Sequence, residues 1–548
     1  MTLKIKRLDH HGIVSGVIDD LGLVELIDEH LPQDEKQEIT PGEAIKGMIM
    51  NGLGFSNRPL SLTPQFFTNL PMEHLFRKGV EASHFNRHKL GRTLDQSYDF
   101  GCESLFVLLS QRACLSEQVS TRFQSLDSTA YALTGDYKQA ERTGEDVPIH
   151  ITHGYSKDYR PDLKQVVQEM IVSQDGGIPL ACKNWDGNAS DNKIFRERSK
   201  ALVTAFKSNA QEEQYCIADS KLYHKKNSEF LSQILFITRI PSTNKEEKQA
   251  ITDSLSSNQW TIVDENYKFC EKEIKHMDIN QRWLVVHSKA ARERAQKTIS
   301  NQVTKSQVQL EKALFHLQAQ RFACEADTQK ALEQLAKKQK FHTIIKPVYK
   351  SKAVHKGKGR PKANAVVDTL QWQVSAEFEL KQDSVDFAIE QKSCFVLGTN
   401  AKKSSLSNED ILTRYKAQSC VERGFRFLKD PLFFVSSLFI KKPSRIDALL
   451  MIMTLSLLIY SIAQRRLRAT MKKVNATIPN QINQPKATPT LRWIFQCFEG
   501  INILQMTEKY IYKALNIDGM DELRKRIISY LGDRVGWLYL NQNYCTQV

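Results

Sequence analysis

Three acidic residues stand where their carboxylates could bind divalent metal ions. Asp127 lies in the strand-like stretch SLDSTAY, Asp219 ends the apolar run of YCIADSKLY, and Glu422 lies in the helical stretch SCVERGFRFLKD. Magnesium prefers hard oxygen ligands such as carboxylates, and a pair of such ions can clamp the attacking and leaving oxygens of a phosphoryl transfer. Two strand aspartates and one helix glutamate are therefore suited to phosphoryl-transfer chemistry.

The aspartate in YCIADSKLY has two interpretations. Asp219 or Ser220 could cap a following helix by accepting hydrogen bonds from its first backbone N–H groups. Strand tips in an α/β sheet are also where active-site residues lie, because the sheet holds them at the edge of a crevice. The stretch by itself leaves both interpretations open.

The elements around these acids alternate between helical and strand patterns. Residues 1 to about 115 show helical spacing of apolar side chains, and TPGEAIKGMIMNGL begins with a Thr cap and a Pro at the first helical position. From about residue 120 strand patterns follow, and a Gly176–Gly177 turn joins two of them into a hairpin. Strands alternating with helices in this way predict a mixed α/β sheet with helices packed on it.

The glutamate lies in a helix that the sequence predicts from about Ser407–Glu409 through ILTRYKAQSCVERGFRFLKD. Its neighbours Val421, Gly424 and Phe425 are apolar or small, which predicts that Glu422 faces partly inward.

Basic residues outnumber acidic ones by 77 to 62, giving a formal net charge of +15. Such a surplus favours an anionic partner, most often nucleic acid, because neutralised phosphates release counterions; a basic surface without a partner is the alternative. The basic run Lys346–Lys362 contains GKGRPK, which resembles a minor-groove hook. We predict DNA contacts from Lys358, Arg360 and Lys362, against the alternative of a solvated loop.

The longest apolar run, Ala448–Ala463, is short for a membrane span and holds polar groups. It predicts a buried core helix, and no membrane partner is expected. The N-terminus lacks the apolar core of a signal peptide. The cysteines are scattered without a C-x2-C pair, which suits a reducing cytoplasm.

A change of character after Pro241 predicts a subdomain inserted into the sheet domain. Between Ser288 and Lys346 there is no Gly or Pro, and leucines recur at helical spacing, which predicts a long helix pair. We predict a helical N-terminal domain over 1–115 that binds DNA or only packs, a core over 116–241 and 391–475 interrupted by an α+β insertion over 242–390, and a helical C-terminal region over 476–548.

Tyr415, Glu422 and Lys429 fit the pattern Y-x2-R-x3-E-x6-K, with Gln418 where the pattern has Arg. FRFLKDPLF, HGYSKDYRPDLKQ and DGNASD are similar to stretches of the same family. The chain therefore resembles the DDE transposases of bacterial insertion sequences over nearly its whole length. The resemblance implies a ribonuclease-H-like core interrupted between its fifth strand and the glutamate helix. Arg414, Arg423 or Arg426 could replace the phosphate contact expected at Gln418.

The resemblance also implies roles for single residues. Asp127, Asp219 and Glu422 would bind two Mg²⁺ ions, for which Mn²⁺ can substitute. No side chain is the nucleophile: water, and then a DNA 3′-hydroxyl, attacks phosphorus in line. Tyr415 and Lys429 lie seven residues to either side of Glu422, on one helical face, and would contact DNA; helix packing and a solvated charge are the alternatives. Further DNA contacts are expected from Arg423, Arg426, Lys157 and Arg160.

The function implied is that of a DNA transposase. It would cut double-stranded DNA at terminal inverted repeats and join the 3′-hydroxyl ends to target DNA, as a homodimer in a synaptic complex at the bacterial nucleoid. A ribonuclease-H-like nuclease that only hydrolyses is one alternative, and an inactive DNA-binding derivative is another. The intact acid trio argues against the latter, and the lack of a G-x4-G-K-[ST] loop disfavours an ATP-driven motor.

Overall fold

The computed structural model describes residues 3–56, 58–137, 148–156, 158–190, 194, 197–198, 213–355, 369–433, 440–506 and 520–540. The predictions for Lys157, Lys358, Arg360 and Lys362 concern residues outside these ranges. The chain divides into two compact units. The first comprises Met1–Thr238, Asn400–Lys402 and Asp410–Val548, and the second comprises Arg239–Thr399 and Lys403–Glu409.

Strands of the described residues lie in both units. They are β1 (Leu3–Arg7), β2 (Phe123–Leu133), β3 (Lys164–Ser173), β4 (Pro179–Trp185), β5 (Tyr215–Ala218), β6 (Leu235–Arg239), β7 (Thr261–Ile262), β8 (Tyr267–His276), β9 (Ile279–Ser288), β10 (His342–Val354), β11 (Thr369–Leu380), β12 (Cys394–Thr399), β13 (Ile478–Pro479), β14 (Pro485–Lys486) and β15 (Asn502–Met506).

Helices of the described residues also occur in both units. They are α1 (His11–Asp20), α2 (Leu23–His30), α3 (Pro41–Leu53), α4 (Thr63–Phe67), α5 (Met72–Leu75), α6 (Arg87–Phe100), α7 (Cys102–Ser116), α8 (Ser228–Leu231), α9 (Lys245–Ser257), α10 (Lys289–Ala319), α11 (Glu325–Lys337), α12 (Gln382–Lys392), α13 (Asn408–Ala417), α14 (Ser419–Leu428), α15 (Pro443–Lys473), α16 (Leu491–Cys497), α17 (Glu522–Ser529) and α18 (Asp533–Leu540).

The sheet of the first unit has the strand order β4-β3-β2-β5-β6. Strands β2, β3 and β4 are antiparallel, and β2, β5 and β6 are parallel. The predicted hairpin between β3 and β4 is present, and Gly176 and Gly177 have φ of 87° and 69° in its turn, a region that glycine enters without steric cost. The predicted mixed α/β fold class is confirmed.

One hydrophobic cluster of the first unit joins the sheet to helices from both ends of the chain, from Leu8 to Tyr539. Strand β1 pairs antiparallel with β15, and α1 packs on α18. The helical N-terminal segment therefore shares its core with the sheet and the C-terminal helices, where the sequence suggests separate domains.

Helix α15 is the longest helix of this core. It has the length and apolar composition of a membrane span, but 83% of its most apolar window is buried inside the protein. This burial agrees with the core helix predicted over Ala448–Ala463.

The second unit takes in the region of the predicted insertion. Strand β9 pairs antiparallel with β8 and β12, and the predicted helix pair is α10 and α11, with Ser288 capping α10. The basic run Lys346–Lys362 is predicted as a loop, but its first part belongs to β10, which pairs with β11. Val374, paired with Tyr349, is only 2% exposed, so packing of alternate side chains holds this part as a strand.

Candidate active site

Strand register brings the two aspartates to neighbouring positions. In the parallel pairing of β2 with β5, Leu126 stands opposite Ala218. Asp127 and Asp219 each follow at the next position, on strands that lie roughly 4.8 Å apart. On its other side, Asp127 is paired with Met170 of β3. The two carboxylates thus start from adjacent points of a rigid sheet.

Asp219 is held by the turn that follows β5. Its Oδ1 accepts a hydrogen bond from the backbone N of Lys221 at 3.0 Å, and Lys221 Nζ lies 4.0 Å from Oδ2. Thr238 Oγ1 donates to the backbone O of Asp219 at 2.9 Å. The side chain remains 36% exposed, so it is fixed in direction and open to a ligand.

Ser220 does not cap a helix, and that part of the prediction is wrong. Residues 220–222 form a turn, and α8 begins only at Ser228. The local backbone hydrogen bond is made by Asp219 itself. Asp219 therefore supports a turn and not a helix, and its side chain stays accessible to a ligand while one oxygen accepts that hydrogen bond.

Asp127 lies inside β2 and is half-buried. Its Oδ1 accepts a hydrogen bond from the backbone N of Ser128 at 2.7 Å. This contact, made with the next residue of the same strand, fixes one oxygen of the carboxylate.

Helix α14 carries the glutamate across the sheet beside these aspartates. It packs on β2 and β3, and it comes close because Gly424 has no side chain: a Cβ there would lie 2.9 Å from Met170 Cε and 3.1 Å from Leu457 Cδ2. Val421 and Phe425 are buried, whereas Glu422 is exposed. The prediction that Glu422 faces partly inward is wrong: its side chain is exposed, because one residue step along the helix rotates it by roughly 100° from buried Val421.

The predicted single helix around the glutamate is divided at Gln418, the end of α13 and the start of α14. There Gln418 N donates to Tyr415 O at 3.1 Å, and Val421 N donates to Gln418 O at 3.1 Å. Both bonds span three residues instead of the four of a regular α-helix. Tyr415 therefore lies on α13 and Glu422 on α14, and the shared face of the two residues stays a prediction.

Lys429 follows the end of α14, two turns beyond Glu422. Its Nζ donates to both carboxylate oxygens of Asp158, at 2.9 and 2.8 Å, and lies 5.7 Å from the centre of the Tyr131 ring. Asp158 lies in a turn, and its ion pair with Lys429 joins positions 271 residues apart, which no local pattern signals.

Beneath Lys429, a chain of polar side chains crosses the core. Tyr131 OH donates to Gln168 Oε1 at 3.1 Å, Gln168 Nε2 donates to Asn184 Oδ1 at 3.0 Å, and Asn184 Nδ2 donates to Asp447 Oδ1 at 2.8 Å. Burial raises the pKa of Asp447 to about 6. The chain links three strands to α15 and satisfies polar groups that would otherwise be costly to bury.

The remaining predicted DNA contacts differ in their surroundings. Arg423 and Arg426 are exposed on α14, and Arg423 Nη1 donates to Ser419 Oγ at 2.8 Å. Arg160 is paired with Asp162 at 2.7 Å; this hydrogen bond raises the pKa of Arg160 and lowers the pKa of Asp162. The Arg414 guanidinium lies 4.1 Å from the centre of the Phe123 ring, so its side chain has a packing role.

The donor set has the chemistry that a hard divalent ion requires, since all three groups are carboxylates. Register brings Asp127 and Asp219 together, and the exposed side chain of Glu422 makes no hydrogen bond or ion pair with the described part of the chain. Within the described residues, however, no three His, Cys, Asp or Glu side chains lie close enough together to hold a metal ion. The structure thus assembles the aspartate pair and leaves the glutamate on the adjacent helix.

Two family models match the chain. One, described as a domain of unknown function (DUF4277), matches residues 3–111. The other, described as a transposase DDE domain, matches residues 121–459, which is more than half of the 548 residues. This second match begins just before β2 and ends within α15, so it contains all three acids.

Curated proteins gave no significant match. Among solved structures, the cryo-EM structure of a piggyBac transposase synaptic complex with hairpin DNA is similar at 8% identity, over 91% of this chain and 83% of that chain, with a TM-score of 0.34. That similarity is too low to add to the family match. From the match over residues 121–459, the chain belongs to the DDE transposase family and is a DNA transposase, an enzyme that cleaves and rejoins DNA strands.

Proposed function

We propose that Asp127, Asp219 and Glu422 are the catalytic acids of this transposase and hold two Mg²⁺ ions, for which Mn²⁺ can substitute. The family generally uses divalent metal ions. The observation that carries the proposal is the register that sets Asp127 beside Asp219, with the glutamate helix packed on the same strand. When bound, the ions would activate the attacking hydroxyl and stabilise the leaving oxygen.

The protein's own part in this reaction is to position groups. The sheet fixes the two aspartates, and the turn after β5 aims one of them. Glu422, exposed and without a partner among the described residues, completes the ligand set from α14. No side chain forms a bond to phosphorus, since the nucleophile is water in cleavage and a DNA 3′-hydroxyl in joining.

Basic residues around the acids hold the DNA backbone in this proposal. Lys429 exchanges Asp158 for a phosphate, and the exposed guanidiniums of Arg423 and Arg426 lie on the same helix as Glu422. Tyr415 contributes from α13. Further contacts come from Lys157, Arg160, Lys358, Arg360 and Lys362.

The substrate is double-stranded DNA with terminal inverted repeats, together with a target duplex. Two ends must be brought together, so the enzyme acts as a homodimer in a synaptic complex, in the bacterial cytoplasm at the nucleoid. The net charge of +15 supports a polyanionic partner. The N-terminal segment over 1–115 belongs to the same unit as the acids, so it is positioned by the catalytic core rather than by a flexible linker.

The test is cleavage of a labelled duplex that carries the terminal repeat found in DNA flanking the gene, with Mg²⁺ or Mn²⁺. Asp127→Asn, Asp219→Asn and Glu422→Gln should each lower the cleavage rate by about 10³-fold, since a catalytic metal supplies several kcal/mol of transition-state stabilisation. Glu522→Gln, at an exposed glutamate of α17 that is 89% exposed, is the matched control and should cleave like the wild type.

The outcomes separate the alternatives. Nicks with 3′-hydroxyl ends and joined products support a transposase, and cleavage without joining supports a nuclease that only hydrolyses. Specific binding without cleavage supports an inactive derivative. If all three acid variants cleaved at the wild-type rate, the assignment of these residues as metal ligands would be wrong.

A further inference from the structure

Two tyrosines between β2 and β3 are almost fully exposed. Tyr155 is 87% and Tyr159 is 93% exposed, the highest values among the exposed large nonpolar side chains of the described residues. They lie four residues apart in what we call the tyrosine loop, the described residues 153–156 and 158–162. Aromatic rings normally bury most of their surface, so two exposed rings four residues apart indicate a surface that binds a partner.

The backbone of the tyrosine loop is held in place. Gly154 meets Gly187 so closely that a Cβ on Gly154 would lie 2.0 Å from Gly187 O. Gln165 Nε2 donates to Gly187 O at 2.7 Å and to Tyr155 O at 3.3 Å. The HGYSKDYRPDLKQ and DGNASD stretches therefore support each other at this crossing.

Tyr159 adds a strained position to this loop. Its φ is 57°, a left-handed conformation that costs a residue with a Cβ about 1–2 kcal/mol. Such strain persists only where the surroundings impose it, and it concentrates at functional sites. Next to it, Arg160 N donates to Ser156 Oγ at 2.8 Å.

The tyrosine loop is tied to the glutamate helix. Asp158, directly before Tyr159, forms the ion pair with Lys429, which follows the end of α14. Both rings therefore belong to a segment that contacts the helix of Glu422, in the same unit as the three acids.

We propose that Tyr155 and Tyr159 form a stacking platform for unpaired DNA bases at the cut end of the element. The inference rests on the proposed function. Every base presents a π face, so aromatic rings bind single-stranded DNA with little sequence preference. Two exposed rings are too small an apolar area for a stable protein interface. Their loop carries Arg160 and is joined to Lys429 through Asp158, and aromatic rings together with basic residues suit single-stranded nucleic acid.

The test compares two probes in EDTA, so that binding is measured without cleavage. The first is the blunt duplex of the terminal repeat, and the second is the same duplex with a three-nucleotide overhang that contains 2-aminopurine. Wild-type protein should quench the 2-aminopurine fluorescence by stacking. Tyr155→Ala and Tyr159→Ala should weaken binding of the overhang probe by about 5- to 100-fold, the size of one base stacked on one ring.

Binding of the blunt duplex should change less than about twofold in these variants, as for an ordinary surface substitution. Tyr155→Phe and Tyr159→Phe keep the rings and should restore both quenching and affinity. Leu115→Ala, which truncates another side chain that is 78% exposed, is the matched control and should behave like the wild type.

Wild-type affinity and quenching in both Ala variants would overturn the inference. The inference would also be overturned if the Ala variants kept the quenching but changed in sedimentation coefficient, because the tyrosines would then form an interface between protein chains. Failure of the proposed function gives a different result: the wild-type protein would cleave neither probe with Mg²⁺ or Mn²⁺. Quenching in EDTA does not depend on cleavage, so it tests the stacking inference whether or not the protein cleaves.

Discussion

Lys429 has one anionic partner in the protein and would meet another in DNA. Its ion pair with Asp158 is partly solvated, with 25% of the lysine side chain and 43% of the aspartate side chain exposed. Exposed ion pairs of this kind are worth only about 0–1 kcal/mol. In the proposed DNA complex a phosphate would displace Asp158, which in the free protein holds Lys429 Nζ 5.7 Å from the centre of the Tyr131 ring.

Asp158→Asn should tighten DNA binding and steepen its salt dependence by about one unit, because no displaced aspartate is left to take up a cation and offset the counterion that the Lys429 contact releases. Lys429→Gln should do the opposite. Binding of the blunt terminal-repeat duplex, followed by fluorescence anisotropy over a salt series, measures both slopes. In the Lys429→Gln background, Asp158→Asn should have no further effect; a full effect there would show that the aspartate acts through something other than Lys429.

Asp447 gives a stability that depends on pH. Burial raises its folded-state pKa from 3.8 to about 6, so the folded protein binds a proton more tightly than the unfolded chain does. The free energy of unfolding therefore falls as pH rises from about 4 to about 6, by roughly 3 kcal/mol for this group. Asp447→Asn keeps an oxygen for Asn184 and should remove this slope in urea titrations at pH 4 to 7.

Asp95 provides the control of opposite sign. Its hydrogen bond with Arg445 lowers the pKa of Asp95, so this pair stabilises the protein above pH 4 and is lost as pH falls. Asp95→Asn should therefore be less stable than the wild type at pH 7 and approach it in acid. If both aspartate variants shifted in the same direction, burial would not be the cause at Asp447.

Helix α14, which carries Glu422, packs close to the sheet because Gly424 has no side chain. The helix pattern around Glu422 is visible in the sequence, and so is the presence of strands that carry both aspartates. The break at Gln418 is not visible, because shortening two hydrogen bonds by one residue each leaves the apolar spacing nearly unchanged. The register of β2 against β5 is equally hidden, since it depends on residues about 90 positions apart.

Gly424→Leu should push α14 away from β3 and lower both stability, by about 1–3 kcal/mol, and cleavage, through displacement of Glu422. Gly424→Ala should be tolerated, because its methyl group would meet the ends of two flexible side chains, those of Met170 and Leu457. Thermal unfolding and cleavage rates of the two variants measure the difference. Equal activity in both would mean that the height of α14 over the sheet does not set the position of Glu422.

The first unit is a single core built from distant parts of the chain. Local patterns correctly predict helices at both ends, but they suggest separate domains, because periodicity reports which face is apolar and not what covers it. Helix α18 packs on α1 and covers part of its apolar face. A Cβ on Gly16 would lie 2.8 Å from the backbone N of Val535.

Gly16→Ala should therefore destabilise the whole first unit by about 1–3 kcal/mol, because the new methyl group meets backbone that cannot rotate away. Gly424→Ala is the matched control, with the same substitution in a helix against flexible neighbours. Limited proteolysis can measure how readily the sheet of this unit unfolds. Faster cleavage within β2 to β4 in Gly16→Ala is expected; cleavage confined to α1 would show that the N-terminal helices unfold on their own.

The pairing of β1 with β15 also means that β1 cannot complete its pairing until nearly the whole chain has been translated. Arg7 stands opposite Asn502, so the first strand waits for its partner while about 495 residues are translated, roughly 25–100 s at typical ribosomal rates. During this time the apolar faces of the early helices remain uncovered and accessible to chaperones. The nascent chain acquires its complete core only when nearly all of the message has been read, and a prematurely terminated transposase would be removed as an unfolded chain rather than persist as a partial enzyme.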